Sequence, residues 1–319
     1  MNVRNRAILR TVAWTKLRVV LRMIRFSHTV FALPFAYLGT ILGCYTATGQ
    51  LPSWSILAWV TLAMVGARSG SMAVNRLVDR SIDATNPRTQ NRELPTGKVS
   101  VRFVRTFSIL MLVLFVLATL ALPSLAAFLC PLAILFLVGY AYTKRFTWWC
   151  HFFLGITLGM APLGGWIAST GTLSWTAYGL ALLVMLWVAG FDILYACTDA
   201  EFDRSACLHA LPARFGIPNA VVTAGVLHVG VFLGWLVLSW WSGFLRPIFL
   251  SGMVIILFLM GWMYRWIRRG PLTAWPTVIF PCNGGVSIVL FLSISLDIIL
   301  GTSLWGPMSL PHGVGQQSY

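Results

Sequence analysis

The stretch Asn75-Arg-Leu-Val-Asp79-Arg-Ser-Ile-Asp83 has an echo later in the chain at Asp199-Ala-Glu-Phe-Asp203. In each stretch two carboxylates are four residues apart, and on a helix this spacing puts them on one face, one turn apart. The chain has only eight acidic residues, and seven of them lie in or beside these two stretches. We predict that the two stretches face each other and hold divalent metal.

The composition around these stretches is that of an integral membrane protein. Of the 319 residues, 58% are hydrophobic and 10% are charged, whereas soluble domains carry about a quarter charged residues. Apolar runs of about 20 residues recur along the chain, and each is long enough to cross roughly 30 Å of hydrocarbon as a helix. We therefore expect an all-α integral membrane protein whose residues 1–319 form a single membrane domain.

About nine transmembrane helices are predicted, in a bundle around a central cavity. The predicted spans are approximately 27–46, 54–76, 102–121, 124–142, 151–168, 174–197, 219–241, 246–264 and 277–299. The fifth span is rich in glycine, and small residues let membrane helices approach closely; these glycines are Gly155, Gly159, Gly164 and Gly165. The second and sixth spans both run into an acidic stretch, which predicts two weakly related halves.

The formal charge of +15 indicates membrane topology rather than a nucleic-acid partner. Basic residues precede the first span, and nearly all the others lie in the loops after the second, fourth, sixth and eighth spans. Positive charge accumulates on the cytoplasmic side of membrane proteins. We therefore expect a basic cytoplasmic N-terminal segment at 1–26 and cytoplasmic polar loops at 84–100 and 200–217 that cap the site. A bacterial inner membrane is the expected location.

The ends of the second and sixth spans are predicted to bind metal and phosphate. Asp79, Asp83, Asp199 and Asp203 offer oxygen ligands, which suit Mg²⁺ held by a few carboxylates and substrate phosphates. Basic side chains of the adjacent loops are suited to the same phosphate oxygens. These are Arg88, Arg92, Lys98, Lys144, Arg145 and Arg204. A single acidic pair usually marks a solvated helix end, but two copies at equivalent helix ends favour a functional site.

A polar stripe continues into the membrane below the acidic stretches. Arg68 lies deeper than Asp79 on the same helix face, and Asp192 and Tyr195 lie deeper than Asp199. Ionisable groups at such depth are costly and usually line a cavity. Two interpretations stay open. One is a structural ion pair between Arg68 and Asp192; the other is a pocket in which Arg68 receives a carboxylate and Asp192 or Tyr195 a hydroxyl.

The remaining polar residues have plainer interpretations. The six cysteines are scattered and lie mostly in or next to apolar runs, which is typical of small core residues. His28 and His151 each open a predicted span, and we interpret them as boundary residues. Asp297 lies far from the acidic stretches. We interpret it as the acceptor of a packing hydrogen bond or as a boundary residue.

Taken together, these residues resemble the UbiA superfamily of intramembrane prenyltransferases. The matching motifs are N-x-x-x-D-x-x-x-D at 75–83, D-x-x-Y-A-x-x-D-x-x-x-D at 192–203, Tyr-Thr-Lys-Arg at 142–145 and the loop 91–97. They cover about residues 20–220, and the pattern of spans covers the rest. The opening segment 25–36 resembles the branch that acts on 4-hydroxybenzoate-like aromatic acids. Glu93 is a departure, since many relatives carry proline at this place.

The resemblance implies a Mg²⁺-dependent aromatic prenyltransferase that acts on a polyprenyl diphosphate in ubiquinone or menaquinone biosynthesis. Two Mg²⁺ ions would bridge the donor's diphosphate to the protein. The implied metal ligands are Asn75, Asp79, Asp83, Asp199 and Asp203. The residues implied to neutralise the departing diphosphate are Arg88, Arg92, Lys144 and Arg145. The prenyl group would then pass to the ring of a 4-hydroxybenzoate-like acid.

Three alternatives compete with this enzyme. The first alternative is a member of the same family whose acceptor is a naphthoate-type acid, haem B or chlorophyllide. Arg68 favours an acidic acceptor. CDP-alcohol phosphotransferases also use membrane aspartates. Their motif contains D-G and A-R at fixed offsets, and this chain lacks that pattern. A cation transporter would place its acids at mid-membrane on broken helices rather than beside basic loops. The prenyl chain length and the oligomeric state stay open at this point.

Overall fold

The computed structural model describes residues 18–24 and 26–304, and these residues form helices joined by turns, without a strand among them. The predicted all-α class is confirmed. Most of the basic N-terminal segment 1–26 lies outside the described residues, as does the side chain of His28. A short helix at 18–23 belongs to the part of this segment that is described.

Nine long helices form a bundle within the described residues. They are α1 (Phe26–Thr48), α2 (Trp54–Val78), α4 (Val101–Leu120), α5 (Ser124–Thr143), α6 (Cys150–Thr170), α7 (Trp175–Ala196), α10 (Ile217–Trp241), α11 (Pro247–Ile267) and α12 (Pro276–Leu304). Three short helices lie in the loops: α3 (Arg80–Thr85), α8 (Ala200–Ser205) and α9 (Leu211–Phe215). Helix α7 is central, because it packs against α1, α6, α10 and α12.

The long helices match the predicted spans closely. Eight helices among the described residues are long and apolar enough to cross a membrane, and they correspond to the second to ninth predicted spans. Helix α1, with 23 residues, occupies the place of the first. The chain is therefore a multi-pass integral membrane protein.

Several helix ends follow directly from local residues. Ser53, Ser100 and Ser174 precede α2, α4 and α7, and each hydroxyl accepts a hydrogen bond from the backbone N–H three residues later. Such caps satisfy donors that have no partner inside the helix. Helix α6 ends at Gly171, whose φ of 68° is a left-handed conformation that glycine adopts without strain.

Glycines of α6 bring this helix close to its neighbours. A Cβ added at Gly165 would lie 2.1 Å from the carbonyl oxygen of Ala36 in α1. Additions at Gly155 and Gly159 would similarly meet backbone carbonyls of α7. The predicted close approach is therefore confirmed at these three positions, whereas Gly164 has nothing within 4 Å.

Buried polar and sulfur groups outside the acidic stretches serve packing. Asp297 accepts a hydrogen bond from the backbone N–H of Phe249 at the start of α11, so the packing interpretation is confirmed. Four of the six cysteines are buried, and all six are free thiols. The buried ones are Cys44, Cys130, Cys197 and Cys282.

Both acidic stretches lie where a long helix breaks. Helix α2 ends at Val78, Asp79 occupies the break, and α3 begins at the next residue. Helix α7 ends at Ala196, and Asp199 closes a 3₁₀ turn that leads into α8. The continuous helix assumed from the four-residue spacing is therefore wrong in both places.

At the first break, a side chain stabilises the helix end. The guanidinium of Arg145 donates to the carbonyl oxygen of Val78 at 2.7 Å, as basic groups do at helix C-termini. Helical hydrogen bonding resumes directly after the break, because the N–H of Asp83 donates to the carbonyl oxygen of Asp79 at 2.7 Å. The matching breaks after α2 and α7 support the relation between the two halves.

Candidate active site

A polar cavity of about 260 Å³ lies between the broken ends of α2 and α7. Its lining contains five aspartates and five lysine or arginine side chains, so their formal charges balance. The aspartates are Asp79, Asp83, Asp192, Asp199 and Asp203, and the basic side chains are Arg68, Arg76, Arg88, Arg92 and Lys144.

The structure brings nearly all the sequence-predicted site residues to this cavity. Asn75 and Tyr195 join the charged residues in the lining. Arg145 is the exception, although its Nη2 lies 3.2 Å from Oδ1 of Asp79. Two other candidates for phosphate binding lie elsewhere. Lys98 is exposed, and Arg204 donates to the carbonyl oxygen of Ala213 at 3.2 Å because its loop folds back on α9.

The aspartates of the first acidic stretch are buried against basic side chains. Nζ of Lys144 lies 2.6 Å from Oδ2 of Asp79. Arg92 donates to both oxygens of Asp83, at 2.7 and 2.8 Å. These two aspartates are only 3% and 4% exposed. Burying an unpaired carboxylate costs several kcal/mol, and the basic side chains offset this cost.

The loop after α3 reaches across the cavity to the second acidic stretch. Arg88 binds both oxygens of Asp199, with Nε 2.7 Å from Oδ1, and its Nη1 donates to the hydroxyl of Tyr195 at 2.7 Å. Nδ2 of Asn86 adds a hydrogen bond to Oδ1 of Asp199 at 3.1 Å. Burial lowers the pKa of Arg88, but the hydrogen bonds and charges of Asp199 and Tyr195 outweigh it and raise this pKa. The loop of the first half is thereby tied to the acidic stretch of the second.

His151 has a role that the sequence analysis missed, because the boundary-residue interpretation is wrong. This side chain is 2% exposed and lines the cavity from the first turn of α6. Its Nδ1 lies 2.7 Å from Oδ2 of Asp192, and the backbone N–H of Leu211 donates to its Nε2 at 3.2 Å. No local pattern signals this pair, since the two residues are 41 positions apart on different helices. Asn86 and Arg76 were also missed, for the same reason.

The donor atoms of the cavity fit a metal that also binds a substrate. Among the described residues, no three His, Cys, Asp or Glu side chains are grouped so that they hold a metal ion by themselves. The four aspartates of the acidic stretches instead line one cavity in two pairs. Oxygen donors in this arrangement suit Mg²⁺, which binds one or two carboxylates and completes its coordination with water and substrate phosphates.

A second, apolar cavity of about 410 Å³ adjoins the polar one. Helices α1, α2, α4, α5 and α6 contribute its walls, mainly with alanine, leucine, methionine and phenylalanine side chains. Arg68 and Leu158 line both cavities. A charged compartment thus lies directly beside a hydrophobic one, and Arg68 marks the junction.

A membrane bundle with these two compartments defines an intramembrane enzyme for a substrate with a charged end and an apolar end. Residues 33–284 match the model of the UbiA prenyltransferase family. The chain belongs to this family. The predicted enzyme class, a prenyltransferase, is confirmed.

Individual relatives support the assignment. The 4-hydroxybenzoate octaprenyltransferase of Herminiimonas arsenicoxydans is 26% identical over 285 residues, which cover 89% of this chain and 99% of the relative. The enzyme of the same name from Vibrio campbellii is 31% identical over 200 residues, or 62% of this chain and 69% of the relative. These names agree with the aromatic branch that the opening residues resemble.

Solved structures show the same fold. The apo structure of a UbiA homologue from Aeropyrum pernix K1 matches with a TM-score of 0.76 and 28% identity, over 85% of this chain and 98% of that one. A UbiA homologue from Archaeoglobus fulgidus bound to GPP and Mg²⁺ matches with a TM-score of 0.65 and 18% identity, over 85% of this chain and 99% of that one.

Proposed function

We propose that the protein transfers a polyprenyl group from polyprenyl diphosphate to the ring of a 4-hydroxybenzoate-like aromatic acid, in quinone biosynthesis. The observation that carries this proposal is the cavity in which two acidic stretches and their basic partners meet, and which shares Arg68 with an adjoining apolar cavity. The named activity of the curated relatives supports the aromatic acceptor.

The proposed cofactor is Mg²⁺, as two ions that bridge the diphosphate to the acidic stretches. The Archaeoglobus homologue, which shares the fold, is bound to GPP and Mg²⁺, and we carry this pair of ligands to the present chain as part of the proposal. The proposed ligands all line the polar cavity, and they are Asn75, Asp79, Asp83, Asp199 and Asp203. When bound, the ions offset the negative charge of the diphosphate and so make it a better leaving group.

The proposed partners of the diphosphate oxygens are Arg88, Arg92, Lys144 and Arg145. Each of them is bonded to an aspartate of the acidic stretches in the structure. When an aspartate turns to a metal ion, its basic partner is released to the diphosphate. Guanidinium groups suit this exchange, because their donors bind carboxylate and phosphate oxygens in the same paired geometry.

The apolar cavity is the proposed site of the prenyl chain, next to the reacting carbon. The allylic C–O bond breaks, and its electron pair leaves with the diphosphate. A bond then forms between the allylic carbon and the ring carbon ortho to the hydroxyl, and that ring carbon gives up its proton to the released diphosphate, so the ring becomes aromatic again. Apolar walls exclude water, which would otherwise capture the allylic cation. In this arrangement Arg68 binds the carboxylate of the acceptor, and Asp192 or Tyr195 its hydroxyl.

Turnover by purified protein tests the proposal. In detergent, with polyprenyl diphosphate, Mg²⁺ and 4-hydroxybenzoate, we expect equal amounts of prenylated acid and free diphosphate, and no product after EDTA treatment. Product from a naphthoate-type acid but not from 4-hydroxybenzoate would reassign the acceptor. Absence of product from every aromatic acid, together with metal-dependent cation flux in vesicles, would contradict the enzyme and favour the transporter.

A further inference from the structure

We infer that His151 is a positioning residue that holds Asp192 as the acceptor of a hydrogen bond from the acceptor's phenolic hydroxyl. This inference rests on the proposed function, in which an aromatic acid enters the polar cavity and meets either Asp192 or Tyr195. The inference assigns the hydroxyl to Asp192 rather than to Tyr195, and it adds His151 as the residue that orients Asp192.

The hydrogen bonds of His151 fix the orientation of its ring. The N–H of Leu211, the first residue of α9, donates to Nε2 at 3.2 Å. Nδ1 is 2.7 Å from Oδ2 of Asp192. A carboxylate oxygen only accepts hydrogen bonds, so Nδ1 carries a proton and donates to it. Both nitrogens of this buried ring are occupied, so its orientation is fixed from two sides.

Asp192 differs from the other paired aspartates of the cavity in the kind of its partner. Asp79, Asp83 and Asp199 are bonded to lysine or arginine. Asp192 is bonded to the imidazole of His151. Its side chain is 26% exposed and lines the cavity. The histidine thus orients the carboxylate while the group stays open to a ligand.

Tyr195 belongs to the diphosphate end of the cavity instead. Its hydroxyl accepts a hydrogen bond from Nη1 of Arg88 at 2.7 Å, and the Arg88 guanidinium lies over its ring at 5.0 Å from the ring centre. The same guanidinium is bonded to Asp199, a proposed metal ligand. The Tyr195 hydroxyl already accepts from this cation, so it is left to donate to a bound phenol, whereas the carboxylate of Asp192 accepts from the phenol's O–H.

An ionised carboxylate at the phenolic hydroxyl assists the proposed reaction directly. When the ring carbon ortho to the hydroxyl bonds to the allylic carbon, positive charge develops on the phenolic oxygen. A negative group hydrogen-bonded to that hydroxyl stabilises the charge, and a preoriented one does so without reorganisation during the step.

Binding measurements separate this role from a purely structural one. Dissociation constants for 4-hydroxybenzoate and for benzoate, which lacks the hydroxyl, give a hydroxyl preference for each variant. We expect the wild-type protein to prefer 4-hydroxybenzoate by about tenfold or more, the usual effect of a hydrogen bond to a charged group. His151→Leu and Asp192→Asn should each reduce this preference to about twofold or less.

Two further variants serve as controls. His151→Gln keeps both hydrogen bonds, since its amide N–H₂ reaches Asp192 and its carbonyl accepts from Leu211, so the preference should be retained. Tyr195→Phe should retain the preference too, and should raise the KM for the prenyl diphosphate. In turnover, His151→Leu should lower kcat about 10- to 100-fold with the KM for the donor unchanged.

Each outcome of these measurements decides the inference. No hydroxyl preference in the wild type, an undiminished preference in His151→Leu, or a lost one in His151→Gln would overturn it. If His151→Leu does not fold, the contrast between His151→Gln and Asp192→Asn decides. Failure of the proposed function has a different signature: the hydroxyl preference is present in the wild type, but no prenylated product forms.

Discussion

Asp79 and Asp199 are the first aspartates of the two acidic stretches, and both lie at helix breaks. We expect Asp79→Asn and Asp199→Asn each to lower kcat by at least about 100-fold, because the amide loses the charge but keeps the shape. Product formation and the melting temperature in detergent measure activity and folding separately. Glu201→Gln is the matched control, since Glu201 belongs to the same stretch but is exposed and outside the cavity lining. Full activity in either aspartate variant would refute the two-metal assignment.

Arg68 stands at the junction of the polar and apolar cavities. Arg68→Ala is expected to raise the KM for the aromatic acid by roughly 10- to 100-fold, the effect of a lost hydrogen bond between charged groups. The KM for the prenyl diphosphate should change much less. Arg204→Ala provides the control, because this arginine lies in the loop outside the cavity. An unchanged KM for the acid would rule out the proposed carboxylate contact.

At the scale of helices, the contact of α1 with α6 depends on a glycine that leaves no room for a side chain. Gly165→Ala is expected to destabilise the protein by about 1–3 kcal/mol, because the added methyl overlaps the carbonyl oxygen of Ala36. Gly164→Ala adds the same methyl group one residue earlier, where nothing lies within 4 Å. Thermal unfolding in detergent should show a lower melting temperature only for the first variant. Equal melting temperatures would contradict the close contact.

The long helices were predictable because the membrane imposes a local rule on the sequence. A span needs about 20 apolar residues, and this can be counted along the chain without knowing the neighbours. The helix breaks at Asp79 and Asp199 follow no such rule. No glycine or proline stands there, and at the first break the partner of the helix end is Arg145, which comes three helices later in the sequence.

The candidate site was predictable only as far as its residues form repeated spacings. The acidic stretches repeat a pattern, and the basic residues lie in adjacent loops, so both groups could be listed before their contacts were seen. His151 stands alone at the start of α6, and its function depends on Asp192 in α7 and Leu211 in α9. A contact between three separate elements leaves no trace in the spacing of any one of them.

At the scale of the whole molecule, the orientation in the membrane remains a prediction from charge. Native Cys207 is exposed in the loop that carries the second acidic stretch, and Gln50 is exposed at the turn between α1 and α2. We expect a membrane-impermeant maleimide to label Cys207 in inverted vesicles but not in intact cells. Gln50→Cys in a Cys207→Ser background should show the reverse. Labelling of Cys207 from outside would overturn the cytoplasmic placement of the site.

The balance of five aspartates against five basic side chains has a consequence for how ligands enter. Magnesium alone would add positive charge beside the cations, and diphosphate alone would add negative charge beside the carboxylates. Each is unfavourable in buried surroundings, but together the added charges largely cancel. The two ligands are therefore expected to be thermodynamically coupled, each raising the affinity for the other by the same factor.

Calorimetric titration of the prenyl diphosphate measures this coupling. We expect binding at least about tenfold tighter with Mg²⁺ than with EDTA, within the usual range of coupling between sites. Equal affinities for the prenyl diphosphate with Mg²⁺ and with EDTA would show that the binding of the two ligands is not coupled. A site of this kind favours simultaneous occupation, so the lipid donor is retained long enough to react mainly when metal is present with it.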